Sequence, residues 1–343
     1  MYKTRLLLRA LSNTPYRSFG TEENQSFMRI LRHYVEFPAV LRGGVVALGN
    51  FDGVHLGHQK VIGTARSLAA AKGIAGGVMS FEPHPREVFN PGAATFRLTP
   101  FRTKSRLIES LGPDFLLMQR FDREFAAHTA EDFVLQVLMA GLGVVHVVVG
   151  YDYVFGRGRA GNVDLLRAMA DRCGFGVTCI DPALAEDGFV YSSTRIREAL
   201  VSGRPRDAAR LLGRNWEIEG RVEHGDKRGR TIGFPTANIE LAEYLHPAAG
   251  VYAVMAGIDR GGATEWRPGV ANFGKRPTFD DRDVLLEVHL FDFDGDLYGR
   301  HLRVGLVDYL RPERKFSDLE ALKTQIEEDC QAARQLLAVN GAR

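Results

Sequence analysis

Two imidazoles stand three residues apart at the end of the run Gly49-Asn50-Phe51-Asp52-Gly53-Val54-His55-Leu56-Gly57-His58. The run follows the β-branched apolar segment Val45 to Leu48 directly, and a helical pattern follows it. A glycine-bearing turn from strand to helix presents backbone N–H groups and the positive end of a helix dipole, where a phosphate can lie. With Gly57 permitting close backbone approach, His55 and His58 can both face that phosphate and stabilise charge developing on an α-phosphoryl group during in-line displacement. The chemistry indicated is nucleotidyl transfer. An isolated HxxH pair could instead satisfy loop hydrogen bonds or bind a metal, but the preceding strand, the glycines and the following helix favour transfer.

Two further runs carry phosphate-directed chemistry. In Ser192-Ser193-Thr194-Arg195-Ile196-Arg197 the hydroxyls can cap a helix from Arg195 to Val201, so that hydroxyls, free N–H groups and two arginines converge on an anion. An ordinary capped surface helix would look the same in isolation. Between Gly220 and Asn238, the glycines 220, 225, 229 and 233 permit a strand followed by a mobile basic loop that approaches phosphates closely. Thr236 and Asn238, two apart on extended backbone, place hard oxygen donors on one face, where they could share a Mg²⁺ bound to ATP.

These residues need elements to hold them. From Val45 to about Gly213 apolar strands alternate with helical periodicity: strands 45–48, 76–81, 115–118, 144–149 and 176–180, and helices 59–72, 103–111, 130–140 and 163–173. That order predicts a parallel sheet covered on both faces. Around Trp216 the pattern changes to strands at 216–222, 250–258, 266–271, 285–291 and 301–309 separated by Gly and Pro turns, a small antiparallel barrel, and an amphipathic helix over 319–339 ends the chain. The fold class is therefore α/β followed by an antiparallel β-barrel with a C-terminal helix, divided into 28–213 and 214–343. Residues 1–27 are basic and lack the apolar core of a secretory signal. They read as a poorly ordered extension, a transit peptide or a misplaced start.

Composition sets the outer limits. The chain has 343 residues, 45% apolar and 25% charged, which suits two ordinary globular domains rather than disorder or coiled coil. Forty-four Lys and Arg against 42 Asp and Glu leave a charge of +2, too little to coat a polyanion, so phosphate affinity must be local and no nucleic-acid partner is expected. The longest apolar stretch, about 134–150, is interrupted by Gln136, Gly141, Gly143 and His146 and reads as helix, turn and strand, so no membrane span is expected. Three cysteines without a CxxC pair disfavour a disulfide framework or zinc site and suit a reducing cytoplasm.

GNFDGVHLGH resembles the HxGH signature of nucleotidyltransferases in the form found in bacterial bifunctional riboflavin kinase/FAD synthetases. Phe81-Glu82-Pro83-His84-Pro85-Arg86-Glu87-Val88-Phe89 is similar to that family's second loop. Val149-Gly150-Tyr151-Asp152-Tyr153-Val154-Phe155-Gly156 resembles GxDFxFG, with Tyr153 for the usual Phe, and Ser192 to Arg197 matches SSTxIR. The later run resembles the riboflavin kinase signature ending in Pro235-Thr236-Ala237-Asn238, a likeness continued by Gly250–Ala253, Gly269–Gly274 and Arg276–Phe279. The resemblance covers about Met28 to the final helix.

It implies a barrel that uses ATP and Mg²⁺ to phosphorylate riboflavin to FMN, and an N-terminal domain that adenylylates FMN to FAD. It assigns the kinase base to Glu287, in the apolar strand Leu286–Phe291, where an isolated glutamate would otherwise read as an edge-strand charge. His55 and His58 would stabilise the transferase transition state. Gly49, Asn50, Phe51, Asp52, Gly57, His84, Asp152, Ser193, Thr194, Arg195 and Arg197 would surround nucleotide, flavin or pyrophosphate. Gly225, Lys227, Gly229, Arg230, Gly233 and Pro235 would surround the kinase phosphates, with Thr236 and Asn238 on the metal. No obligate protein partner is implied.

Three other readings compete: an HxGH transferase acting on pantetheine phosphate or nicotinamide mononucleotide, a flavin-binding regulatory module, and an oxidoreductase read from the literal GxGxxG of Gly156 to Gly161. The last fails on spacing, since Gly156 comes six positions after Gly150 whereas the dinucleotide turn follows its strand at once. A degenerate binder would be expected to have lost His55, His58, Thr236, Asn238 or Glu287, and all are present. Asp292-Phe293-Asp294-Gly295-Asp296 reads as a hairpin turn rather than a calcium loop.

Overall fold

The computed structural model describes residues 28–92, 94–183, 185, 188–223, 233–241, 243–259, 264–275 and 284–340. Its first part runs β1 (Arg29–Leu31), β2 (Val45–Leu48), α1 (Leu56–Lys72), β3 (Gly76–Glu82), α2 (Pro85–Phe89), α3 (Phe101–Glu109) and β4 (Phe115–Arg120). There follow α4 (Ala130–Asp132), which continues as a π-wound stretch over Phe133–Leu142, then β5 (His146–Gly150), α5 (Val163–Cys173), β6 (Gly176–Ile180), α6 (Ser193–Val201) and α7 (Pro205–Leu212).

Strands β1 to β6 form one parallel sheet in the order β1-β4-β3-β2-β5-β6. Every residue of β2 is buried, as a central strand with helices on both faces requires. Alternation divides it: Val46 and Leu48 pack with the π-wound stretch and α5, while Val45 and Ala47 pack with α1 and α3. The chain leaves β2 toward β3 and later returns to its other side as β5, so the strand order reverses between them. A crevice opens at such a switch point, beyond the C-terminal ends of the two strands.

The second part holds β7 (Trp216–Arg221), β8 (Ala237–Glu240), β9 (Gly250–Ile258), β10 (Glu265–Lys275), β11 (Val284–Leu290), β12 (His301–Arg311) and α8 (Leu319–Asn340). They form an antiparallel sheet in the order β7-β12-β9-β10-β11-β8. It nearly closes into a barrel, for the Glu223 N–H donates to the Asn238 carbonyl at 2.9 Å between its two edges. Helix α8 covers the outside, with Ala333 and Leu337 buried against Val251, Ala253, Val270 and Val307.

The segment Asp292–Asp296 is not the hairpin turn its sequence suggests. β10 and β9 lie between β11 and β12 in the sheet, so this segment begins a crossover. The long registers that pair β12 with β9 and β7 decide this, because they fix β12 with β9 and β10 between it and β11. The two sheets also share an apolar cluster: Leu98, Ile196, Leu200, Ala208, Leu211 and Leu212 pack with Trp216, Ile218, Val254 and Leu306.

Candidate active sites

Helix α1 starts at Leu56, three residues before the start expected from its apolar periodicity, because His55 caps it: His55 Nδ1 accepts from the His58 N–H at 3.3 Å. This bond leaves the ring proton of His55 on Nε2, and it draws His58 into the first turn, where the two rings stack at 3.5 Å between centroids. Gly57 is required by this proximity, since a Cβ there would lie 3.1 Å from His55 Cε1 and 3.4 Å from Tyr191 Cβ. His58 Nδ1 is buried and meets no donor or acceptor among the described residues.

Both rings are held neutral. Burial, reinforced by Arg214 and Arg197 and opposed by Asp52, brings His55 down to about 4. Burial and then the neighbouring His55 press His58 well below the usual imidazole range. Neutral imidazoles are suited to donating hydrogen bonds to a phosphate without themselves attracting a counter-ion.

The loop before them is built around Asp52, only 3% exposed. Its Oδ1 accepts the Leu98 N–H at 3.0 Å and the Thr99 N–H at 2.9 Å, and its Oδ2 accepts Arg197 Nη2 at 2.5 Å. Burial works to raise this carboxyl, but Lys104, Arg197 and the two amides outweigh it and hold it below the usual range. Arg197 Nε also donates to the Phe96 carbonyl at 2.8 Å, and Ser193 Oγ to the Asp52 carbonyl at 2.8 Å, tying α6 to the loop. Ser192 caps α6 by accepting the Thr194 N–H at 3.2 Å, and Thr194 is exposed.

A cavity of about 290 Å³ lies at the switch point, lined by His55, Gly57, His58, Gly150, Asp152, Tyr191 and Ser192 to Thr194 among others. Its walls therefore come from the end of β2, the end of β5 and the start of α6. Asn50, Phe51, His84, Arg195 and Arg197 are not in that lining. Phe51 is buried against His58, and a Cβ at Gly49 would lie 2.9 Å from the Phe51 ring. His84 caps α2 by accepting the Arg86 N–H at 3.1 Å, and burial brings it to about 4. Arg195 stacks over Phe189 at 4.9 Å. Lys104, unmarked by any sequence motif, is 2% exposed and lies close enough to Asp52 and Glu82 for their charges to oppose the depression caused by its burial.

The second constellation lies in the barrel. A cavity of about 560 Å³ is lined by Val222, Pro235 to Asn238, Val288, Leu290 and the crossover residues Phe293 to Tyr298. Asn238 is 5% exposed, and its Oδ1, a hard oxygen donor, has no hydrogen-bond partner among the described residues. Glu287 stands directly opposite Asn238 in the β11–β8 ladder, which puts both side chains on one face of the sheet. Glu287 is exposed on β11 and does not itself line the cavity. His289 Nδ1 donates to the Pro235 carbonyl at 2.9 Å, fixing the start of the Pro235–Asn238 run, and Gly233 has φ of 91°. Gly225, Lys227, Gly229 and Arg230, with Arg276 to Phe279, lie outside the described residues. No cluster of three His, Cys, Asp or Glu suited to a metal occurs among the described residues, so His55 and His58 have no third ligand there.

Residues 37–195 match the FAD synthetase family and residues 212–337 the riboflavin kinase family. The chain is 42% identical over 297 residues to the bifunctional riboflavin kinase/FMN adenylyltransferase of Escherichia coli K12, covering 87% of this chain and 94% of that protein. The Pseudomonas fluorescens protein of the same name is 44% identical over 303 residues, covering 88% and 96%. The Bacillus subtilis one is 42% identical over 294, covering 84% and 91%. A crystal structure described as a macrolide-efflux protein of Streptococcus pneumoniae superposes with a TM-score of 0.78 at 31% identity, covering 90% of this chain and 99% of that one. No helix among the described residues is long and apolar enough to cross a membrane. With both family matches in this order and such identity along most of its length, the chain belongs to the bifunctional riboflavin kinase/FMN adenylyltransferase family.

Proposed function

We propose that this protein makes flavin cofactors in two steps at two sites: riboflavin and ATP give FMN and ADP in the barrel, and FMN and a second ATP give FAD and pyrophosphate at the switch point. One observation carries the reading: His55, His58, Asp152 and Ser192 to Thr194 meet around one cavity, and Thr236 and Asn238 line another that shares no residue with it. The transferase is assigned to residues 28–213 and the kinase to 214–343, in the cytoplasm.

In adenylyl transfer the FMN phosphate is already anionic, so no strong base is needed, and positioning and charge stabilisation supply most of the rate. His55 Nε2–H and His58 donate to the α-phosphoryl oxygens as the bond to pyrophosphate breaks. The start of α6, with Ser193 and Thr194 in the cavity lining, receives the leaving pyrophosphate. Asp52 and Arg197 hold each other and shape this pocket rather than touching nucleotide. Phe51 backs His58 from inside the loop, and Asp152, in the cavity lining, contacts flavin or nucleotide.

In the barrel, Glu287 orients the riboflavin primary hydroxyl and accepts its proton. Thr236 and Asn238 would hold Mg²⁺, and the unpartnered Asn238 Oδ1 fits that part. Bound there with ATP, the ion would neutralise phosphate charge. The glycine-rich basic run carrying Gly225, Lys227, Gly229, Arg230 and Gly233 would cover the phosphates.

Chromatography of the products from riboflavin, ATP and magnesium tests the whole reading, and unaltered riboflavin would refute it. His58→Ala should lower FAD formation by about 10²-fold or more while FMN accumulates. Glu287→Gln should stop riboflavin phosphorylation while supplied FMN is still adenylylated. Loss of both activities in either folded variant would refute separate sites.

A further inference from the structure

We infer that Trp216 and Arg214, at the start of the barrel half, are positioning residues for adenylyl transfer, holding the loop that carries His55 and His58 from behind. The loop has a conformation that its own residues do not favour. Phe51, Gly53 and Val54 have φ of 48°, 90° and 43°, a left-handed region costly for phenylalanine and for β-branched valine. Such strain persists only where surrounding groups over-determine it.

Two sets of bonds do so. On one side Asp52 is gripped by the Leu98 and Thr99 N–H groups, and the Gly53 N–H donates to Thr99 Oγ1 at 2.8 Å. The segment 97–99 is neither helix nor extended strand, and its other edge is held by the barrel half. Trp216 Nε1 donates to the Leu98 carbonyl at 2.8 Å, and the Leu245 N–H to the Arg97 carbonyl at 2.7 Å. Trp216 is fully buried, so this donor has no water to turn to. On the other side, Arg214 donates to the Gly53 carbonyl at 2.7 Å and to the Val54 carbonyl at 3.2 Å, the two residues immediately before His55.

Neither residue lines the 290 Å³ cavity, so both touch the reacting centre only through the loop, with the Arg214 charge also helping to keep His55 neutral. A tie that merely joined the two halves would affect both reactions alike. A tie that sets the place of His55 and His58 affects one, because misplacement of a stabilising donor by a fraction of an ångström acts on the transition state.

The test uses the full chain and measures kcat and KM for supplied FMN and for riboflavin separately. Trp216→Phe keeps an aromatic ring and removes the donor; its adenylylation kcat should fall about tenfold with KM changed less than about threefold and riboflavin phosphorylation within about twofold. Arg214→Ala should lose about 10²-fold in adenylylation and regain about tenfold when guanidinium ion is added. Both activities falling in proportion, adenylylation unchanged in Trp216→Phe, or no rescue of folded Arg214→Ala would overturn the inference. Should Arg214→Ala prove insoluble, Trp216→Phe decides. The inference rests on His55 and His58 as the transferase residues; were that assignment wrong, His58→Ala would keep its adenylylation, a result distinct from any of these.

Discussion

Gly57 shows how narrowly single residues are set in the transferase pocket. An added methyl would press on the His55 ring at 3.1 Å and on Tyr191 at 3.4 Å, both tighter than or at the limit of ordinary contact. Gly57→Ala should therefore fold, because alanine suits a first helical turn, yet displace His55 and lower FAD formation by about tenfold with FMN formation untouched. Steady-state assays of the two half-reactions decide it. Asn238 presents the opposite case, a buried polar atom without a partner among the described residues. Its replacement by leucine removes an unsatisfied group, so the melting temperature of Asn238→Leu should hold or rise while riboflavin phosphorylation falls by about 10²-fold and fails to respond to added magnesium. A variant that loses stability and activity together would mark Asn238 as structural. Residue types alone exposed the histidines, Thr236 and Asn238, but gave no sign that Asp52 and Arg197 would be spent on each other or that Lys104 would be buried beside them.

At the scale of elements, α5 and β6 follow their sequence limits residue for residue, because Asn162 caps α5 and Gly174, at φ of 79°, ends it. Helix α1 does not, since histidine is an uncommon cap and its periodic apolar residues begin only after the first turn. Helices α2 and α7 and strand β8 were not legible as elements: the first two are short, and β8 is four residues whose partner β11 lies far along the chain. The docking of α8 rests on a distant pair as well. Arg311 on β12 donates to both carboxylate oxygens of Asp329 at 2.8 and 2.7 Å, and Asp329 also accepts from Gln325 at 3.0 Å. Asp329→Ala leaves a mostly buried guanidinium without its partner and should cost about 3 kcal/mol, read as a lowered denaturation midpoint in urea with unchanged slope. A loss under about 1 kcal/mol would show that α8 is held by its apolar face alone.

For the whole molecule, two imidazoles held at about 4, buried His55 and partly buried His84, couple stability to acidity. Their unfolded value is 6.5, so below that pH the unfolded chain binds protons that the folded one refuses. Stability is complete above about pH 6.5 and is lost progressively toward about pH 4, by about 1.4 kcal/mol per pH unit for His55 within that window. Melting temperatures from about pH 7 to about pH 5 should fall steadily, and less steeply in His55→Gln. Equal slopes in the two proteins would exclude His55 as a source.

The order of apolar runs by itself determined a parallel sheet followed by an antiparallel one, and the local motifs determined which strand ends carry phosphate chemistry, because periodicity and turn glycines act over a few residues. Which strand lies beside which was decided only by tertiary pairing. That pairing places the ends of β2 and β5 across one crevice, separates β11 from β12, and brings Asn238 opposite Glu287. It also lets residues of the barrel half grip the loop before His55. Contacts between residues tens to more than a hundred positions apart leave no period in a sequence, and they form only when burial of both apolar faces selects one arrangement.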